Sequence, residues 1–276
     1  MTVINAIILG LIEGVAEILP ISGSGHIAIV QNLFGLSAFG GEHALFELLL
    51  RLAVLISICV VYREDMSGLF NDCVTLFTNS DPKLRDKSRL GSRQVLMLAI
   101  STLPLLLTVP FYGLLDKLQE RSVFVGVQLI LTGCMLYVAD QFLPGKKDGK
   151  NITLFDALII GVCQCVGALP GLSRMAASIA ACMCCGVQKE YAVKYSMLLS
   201  IPAVLVAVIR SFVKLFGAGV NWQFLPAYFM GTAVALLAGV LSVGALQLIV
   251  KRGSVGSFRQ YCWGAGVITI FLTAIL

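Results

Sequence analysis

Apolar residues run along this chain in blocks long enough to cross a bilayer, separated by short polar stretches. Six uninterrupted blocks lie near 43–62, 94–113, 122–143, 191–216, 224–250 and 258–276, each close to the ~20 residues that a spanning helix needs. Two further blocks, 3–36 and 154–186, are broken midway, at Pro20-Ile21-Ser22-Gly23-Ser24-Gly25 and at Pro170-Gly171-Leu172-Ser173. Proline and glycine end a helix there and leave backbone polar groups that hydrocarbon does not satisfy, so each break must be buried in protein or line a wet cavity. Both blocks read as re-entrant helical hairpins. The pattern predicts an all-α polytopic membrane protein with about six transmembrane helices and two re-entrant hairpins.

Composition agrees. At 58% hydrophobic and 13% charged residues, the chain has too little polar side chain to cover a soluble globule. It reads as a single membrane domain, 1–276. No basic segment precedes the first apolar block, and Glu13 and Glu17 interrupt it, so no cleavable leader is expected. The nine cysteines lie mostly in or beside apolar runs, and C-x-C at 163–165 and C-x-C-C at 182–185 lack a zinc-like partner set, which suits small lipophilic filler.

The net charge of +5 calls for no nucleic-acid partner, because the basic residues sort by loop. Arg63, Lys83, Arg85, Lys87, Arg89 and Arg93, then Lys146, Lys147 and Lys150, then Lys251, Arg252 and Arg259 make twelve of the twenty Lys and Arg, and they mark these three loops as cytoplasmic. Both termini then fall on the outer side, and Glu42 and His43 at the outer rim. Three spans separate the two broken segments, so the hairpins enter from opposite faces.

That opposition suggests a repeat. Gly10, Glu13 and Ser22 recur as Gly161, Gln164 and Ser173 at an offset of 151, with Pro20 matched by Pro170 after a one-residue gap. An inverted-topology repeat, 1–120 with hairpin 3–36 and 152–276 with hairpin 154–186, places a polar site where its broken helices meet.

Ionisable groups inside a bilayer are costly and mark candidate sites. Glu13 and Glu17 share a helical face at i, i+4, so two like charges in apolar surroundings need a divalent cation, a shared proton or a basic partner. Ser22-Gly23-Ser24-Gly25-His26 opens a helix whose positive end and free amides attract an anion, with His26 in the first turn as nucleophile or general acid/base. Pro170-Gly171-Leu172-Ser173-Arg174 opens another. Arg174 is there to meet an anion or the glutamates, and Ser173 caps the helix or touches the ligand. Glu47 and Arg51 form a further i, i+4 pair that can neutralise itself. Helix N-termini, an arginine, a histidine and two carboxylates inside the membrane suit a phosphate carried on a lipid.

The residues Gly10-x-x-Glu13-Gly14-x-x-Glu17-x-Leu19-Pro20-x-Ser22-x-Ser24-Gly25-His26, with Gln164-x-x-x-Ala168-x-Pro170-Gly171-x-Ser173-Arg174 and Tyr195-Ser196-x-Leu198-Leu199-x-Ile201-Pro202, resemble the undecaprenyl pyrophosphate phosphatase family, also called bacitracin-resistance proteins. The resemblance runs over essentially the whole chain. It implies a bacterial inner-membrane enzyme, open to the outer face, that hydrolyses undecaprenyl pyrophosphate to the monophosphate carrier of peptidoglycan assembly and allows for a homodimer. It implies a divalent cation, Mg²⁺ or Ca²⁺, with Glu13 and Glu17 as metal or acid/base carboxylates and His26 and Arg174 as catalytic residues. Ser22, Ser24, Gly25, Ser173, Arg174, Ser178 and Arg51 would bind the substrate. The chain departs from the family pattern in three places. Gly23 stands where relatives usually have the middle of three serines, a proposed nucleophile; Met175 replaces a serine; and Arg51 replaces a glutamine, where a second cation would bind extra phosphate charge, pair with Glu47 or take over part of the metal's role. The alternative is a polyprenyl-phosphate flippase or transporter that binds the head group without cleaving it, which an inverted repeat also suits.

Overall fold

A computed structural model describes residues 1–35, 43–78, 82–141, 145–252 and 256–275. Among these residues twelve α-helices follow one another: α1 (Val3–Ala16), α2 (Gly23–Phe34), α3 (Ala44–Val61), α4 (Arg63–Thr78), α5 (Pro82–Leu106), α6 (Tyr112–Gln119), α7 (Ser122–Gln141), α8 (Leu154–Val166), α9 (Arg174–Cys184), α10 (Lys189–Ala218), α11 (Leu225–Arg252) and α12 (Ser257–Ile275). The protein is an all-α polytopic membrane protein. Five helical stretches are long and apolar enough to cross a membrane: Ala44–Val61, Gly91–Gln119, Ser122–Gln141, Lys189–Ala218 and Trp222–Lys251. The sixth expected span is the helix α12, 19 residues long with Arg259 and Gln260 near its start, and it is not among the five. Large apolar side chains on these helices face outward, with Phe229, Leu237, Leu241 and Phe271 each 62–73% exposed, as lipid-facing surfaces are.

Each broken block is two short helices joined by a turn, and the caps explain why. Glu17 ends α1, and Ser22 begins α2 with its Oγ accepting from the Gly25 amide at 3.2 Å. In the second block Thr153 and Asp156 form a capping box at the start of α8, and Ser173 Oγ accepts from the Ala176 amide at 3.2 Å to start α9. Small residues seat these pairs on the long helices. A Cβ at Gly14 of α1 would stand 3.1 Å from Ala235 Cα on α11, and one at Gly161 of α8 would stand 3.0 Å from Pro104 Cγ on α5, so side chains larger than hydrogen are shut out at both crossings. Thus α1 lies on α11 as α8 lies on α5, while α7 touches both α2 and α9.

One expected loop is not a loop. Residues 63–78 fold as α4 and residues 82–93 as the first turns of α5, and the two helices pack on each other. The side chains of Lys83, Arg85, Lys87 and Arg89 lie outside the described part, as does Glu42. His43 is buried, its Nδ1 2.8 Å from Tyr228 Oη.

Candidate active site

The turns before α2 and α9 meet tip to tip. Ser22 Oγ donates to the Leu172 carbonyl at 3.3 Å, and a Cβ on Gly25 would lie 2.9 Å from Gly171 Cα, so the two backbones touch with no side chain between them. Gly25 therefore supplies spacing, its amide being taken by Ser22. To reach this geometry Ser22 adopts φ 74°, a conformation that costs a non-glycine residue energy. The second tip is held from a third direction. Thr132 on α7 accepts from the Ser173 amide at 3.1 Å, while its hydroxyl proton lies within reach of both the Gly171 and Gln128 carbonyls, at 3.3 and 3.0 Å.

The two helix N-termini face a cleft lined by Glu17, Ser22, Gly23, Ser24, Gln164, Ser173, Arg174 and Ser178. Arg174, the first residue of α9, pairs with the Glu17 carboxylate. Arg51 of α3 enters from the other side: its Nη1 donates to Glu13 Oε1 at 2.5 Å and stands 3.7 Å from Glu17 Oε2. Two guanidinium groups thus stand at the glutamate pair. Glu47 turns to α10, accepting from Ser211 Oγ at 3.0 Å and lying 3.4 Å from Lys214 Nζ. Glu13 is fully buried, and its Oε2 has no hydrogen-bond partner. Nine of the ten expected site residues, Glu13, Glu17, Ser22, Ser24, Gly25, Arg51, Ser173, Arg174 and Ser178, sit in or directly behind this cleft.

His26 is the exception. It follows Ser22 by one turn, but its ring leans away from the cleft. Nδ1 lies 2.7 Å from the Ser22 carbonyl and Nε2 lies 2.7 Å from Tyr261 Oη on α12. A carbonyl only accepts, so Nδ1 carries the proton, and in the neutral ring Nε2 accepts from the tyrosine hydroxyl. The two rings stack at 5.5 Å.

A paired hairpin site with Arg174 at one tip and Glu17 beneath the other can bind a tetrahedral anion between two helix N-termini and a guanidinium. The family profile of bacitracin resistance protein BacA matches residues 6–268. The chain belongs to the BacA family. Among its relatives, an undecaprenyl-diphosphatase of Alkaliphilus metalliredigens is 30% identical over 282 residues, covering all of both chains. One of Desulforapulum autotrophicum is 33% identical over 98% of each chain, and one of Methanobrevibacter smithii is 33% identical over all of this chain and 99% of its own.

Three departures of this BacA-family chain gain a physical setting. Position 23 packs directly on Glu17, where an added Cβ would stand 2.9 Å from Cα and 3.0 Å from the backbone nitrogen, so glycine matches the local crowding as well as removing a hydroxyl. Met175 is buried at the rim of the cleft. Arg51 has become part of the carboxylate cluster.

Sequence reasoning missed several residues here. Arg210 and Lys214 of α10 line a second cleft with Arg51, Asp116 and Gln119, Arg210 pairing with Asp116 and lying over the Tyr112 ring at 4.3 Å. The cost of intramembrane charge would have flagged both, since they interrupt the 191–216 run at i, i+4. Tyr261 and Thr132 carry no such signal, because only the fold brings them to the hairpin tips.

Proposed function

We propose that the chain is a lipid pyrophosphate phosphatase that hydrolyses undecaprenyl diphosphate, or a polyprenyl diphosphate like it, to the monophosphate and inorganic phosphate. The observation that carries the reading is the convergence of the α2 and α9 N-termini, Arg174 and Glu17 on one cleft inside an apolar bundle. The diphosphate enters through the cleft lined by Arg210 and Lys214 while the prenyl tail stays in hydrocarbon beside the exposed apolar helices. Arg174 and the first-turn amides of α2 and α9 hold the terminal phosphate and stabilise the charge that builds on its oxygens. Ser24 and Ser173 orient it.

Once phosphate takes up Arg174, Glu17 is left beside the reacting phosphorus and accepts the proton of the attacking water. The phosphorus–oxygen bond of the anhydride breaks, and the lipid monophosphate departs. His26 fixes the Ser22 carbonyl through its Nδ1–H, holding the first tip in its unusual conformation. The names of the relatives favour hydrolysis over a carrier that leaves the bond intact. Two hairpins that enter from opposite faces as an inverted repeat account for the parallel seating of α1 on α11 and α8 on α5. The sorting of basic loops supports a cytoplasmic-membrane enzyme whose cleft opens outward.

The test is phosphate release by purified protein given undecaprenyl or farnesyl pyrophosphate, with Arg174→Ala as control. Release by the wild type that the variant lacks supports the reading, and no release by the wild type overturns it.

A further inference from the structure

Glu13 and Glu17 stand one turn apart on α1, their side chains 0% and 8% exposed. Two carboxylates so enclosed require countercharge, and the chain supplies it. Glu13 Oε1 accepts from Arg51 Nη1 at 2.5 Å, Glu17 Oε2 lies 3.7 Å from the same atom, and Glu17 Oε1 accepts from Arg174. Of the four oxygens, Glu13 Oε2 has no hydrogen-bond partner and Glu17 Oε2 has only the 3.7 Å approach of Arg51.

Two carboxylate oxygens, one of them facing a guanidinium, are a poor start for Mg²⁺ or Ca²⁺, which gather about six or more oxygen ligands in defined geometry. Among the described residues no group of three His, Cys, Asp or Glu is placed to hold a metal ion. The third nearby carboxylate, Glu47, is directed to Ser211 and Lys214. The donor set therefore does not fit the divalent cation that the family resemblance implies.

We infer that the Arg51 guanidinium takes the place of that cation, holding Glu13 and Glu17 together and aiming Glu17 at Arg174, so that cleavage by this chain does not require a divalent metal. The functional part of this inference rests on the phosphatase reading; its binding part does not. A guanidinium is suited to the task because it stays charged, spreads its donors in a planar fork and loses less on desolvation than an ammonium. Its position is also fixed: Arg51 is 13% exposed and held in α3, so the countercharge is present whether or not ions are in solution. Arg51 is thereby a positioning residue for Glu17.

The test combines Mn²⁺ titration of detergent-solubilised protein without substrate, followed by electron paramagnetic resonance, with phosphate release in chelator and in added Mg²⁺. Expected is a wild type that binds no Mn²⁺ at this pair and keeps its rate in chelator. Arg51→Gln should bind one Mn²⁺, and its rate should fall about tenfold or more in chelator and return with Mg²⁺. A wild type that binds one Mn²⁺, lost in Glu13→Gln, overturns the inference, as does a wild-type rate abolished by chelator. If Arg51→Gln does not fold, the wild-type titration and chelator result decide alone. If the wild type releases no phosphate under any condition, the phosphatase reading fails, and the Mn²⁺ titration still decides whether Arg51 fills the cation's place.

Discussion

Arg174 and Glu17, 157 residues apart, form an ion pair across the seam between two helical hairpins. Each belongs to a different tip, so neither half of the cleft is electrostatically complete alone.

Arg174→Gln should lower phosphate release by about 100-fold or more, since charge-assisted hydrogen bonds to phosphate contribute roughly 1.5–3 kcal/mol each. Glu17 keeps Arg51 close by, so the thermal midpoint should shift less than the rate does. Steady-state kinetics and a thiol-independent melting assay on the same preparation check both halves.

Gly23→Ser should reduce activity. A Cβ at this position presses on the Glu17 backbone at 2.9–3.0 Å, and overpacking of this kind costs about 1–3 kcal/mol. A lower melting temperature with a slower rate is expected. A variant faster than the parent would show instead that the missing hydroxyl, and not crowding, governs this position.

Tyr261→Phe should expose the Nε2 lone pair of His26. The other histidine, His43, is buried, so reaction with diethyl pyrocarbonate followed by ultraviolet difference spectroscopy reports on His26. Carbethoxylation should be several-fold faster in the variant, consistent with loss of a hydrogen bond whose net contribution is about 0.5–1.5 kcal/mol. An unchanged rate would mean that the tyrosine does not cover that nitrogen.

Thr132→Val should loosen the second tip while leaving shape almost unchanged. The Ser173 amide loses its acceptor inside the protein, and an orphaned buried donor costs about 1–3 kcal/mol. Stability and phosphate release should fall together, and Thr132→Ser, which restores the hydroxyl, should recover most of both.

Much of this was legible in the order of residues. Pro20 and Pro170, each followed by glycine and serine, located the two breaks because chain stiffness and capping act over a few residues. The pairing of the tips, the bridging role of Arg51 and the position of His26 were not legible, because they depend on which helices touch. Glu47 and Arg51 illustrate the limit. Spacing made them partners, and the fold gives each a contact on another helix as well, Glu47 on α10 and Arg51 on α1. Likewise α4 was hidden by its charges, since a mixed amphipathic helix and a polar loop differ little in composition.

The conformation of Ser22 has a consequence for engineering. At φ 74° glycine or asparagine would relieve strain of roughly 1–3 kcal/mol, so a screen for heat-tolerant variants should enrich replacements at this position. Glycine would also remove the oxygen that caps α2 and joins Leu172. Thermostable isolates carrying glycine at 22 should therefore be slow ones, and directed evolution of this protein for ruggedness and for turnover will diverge at the same codon.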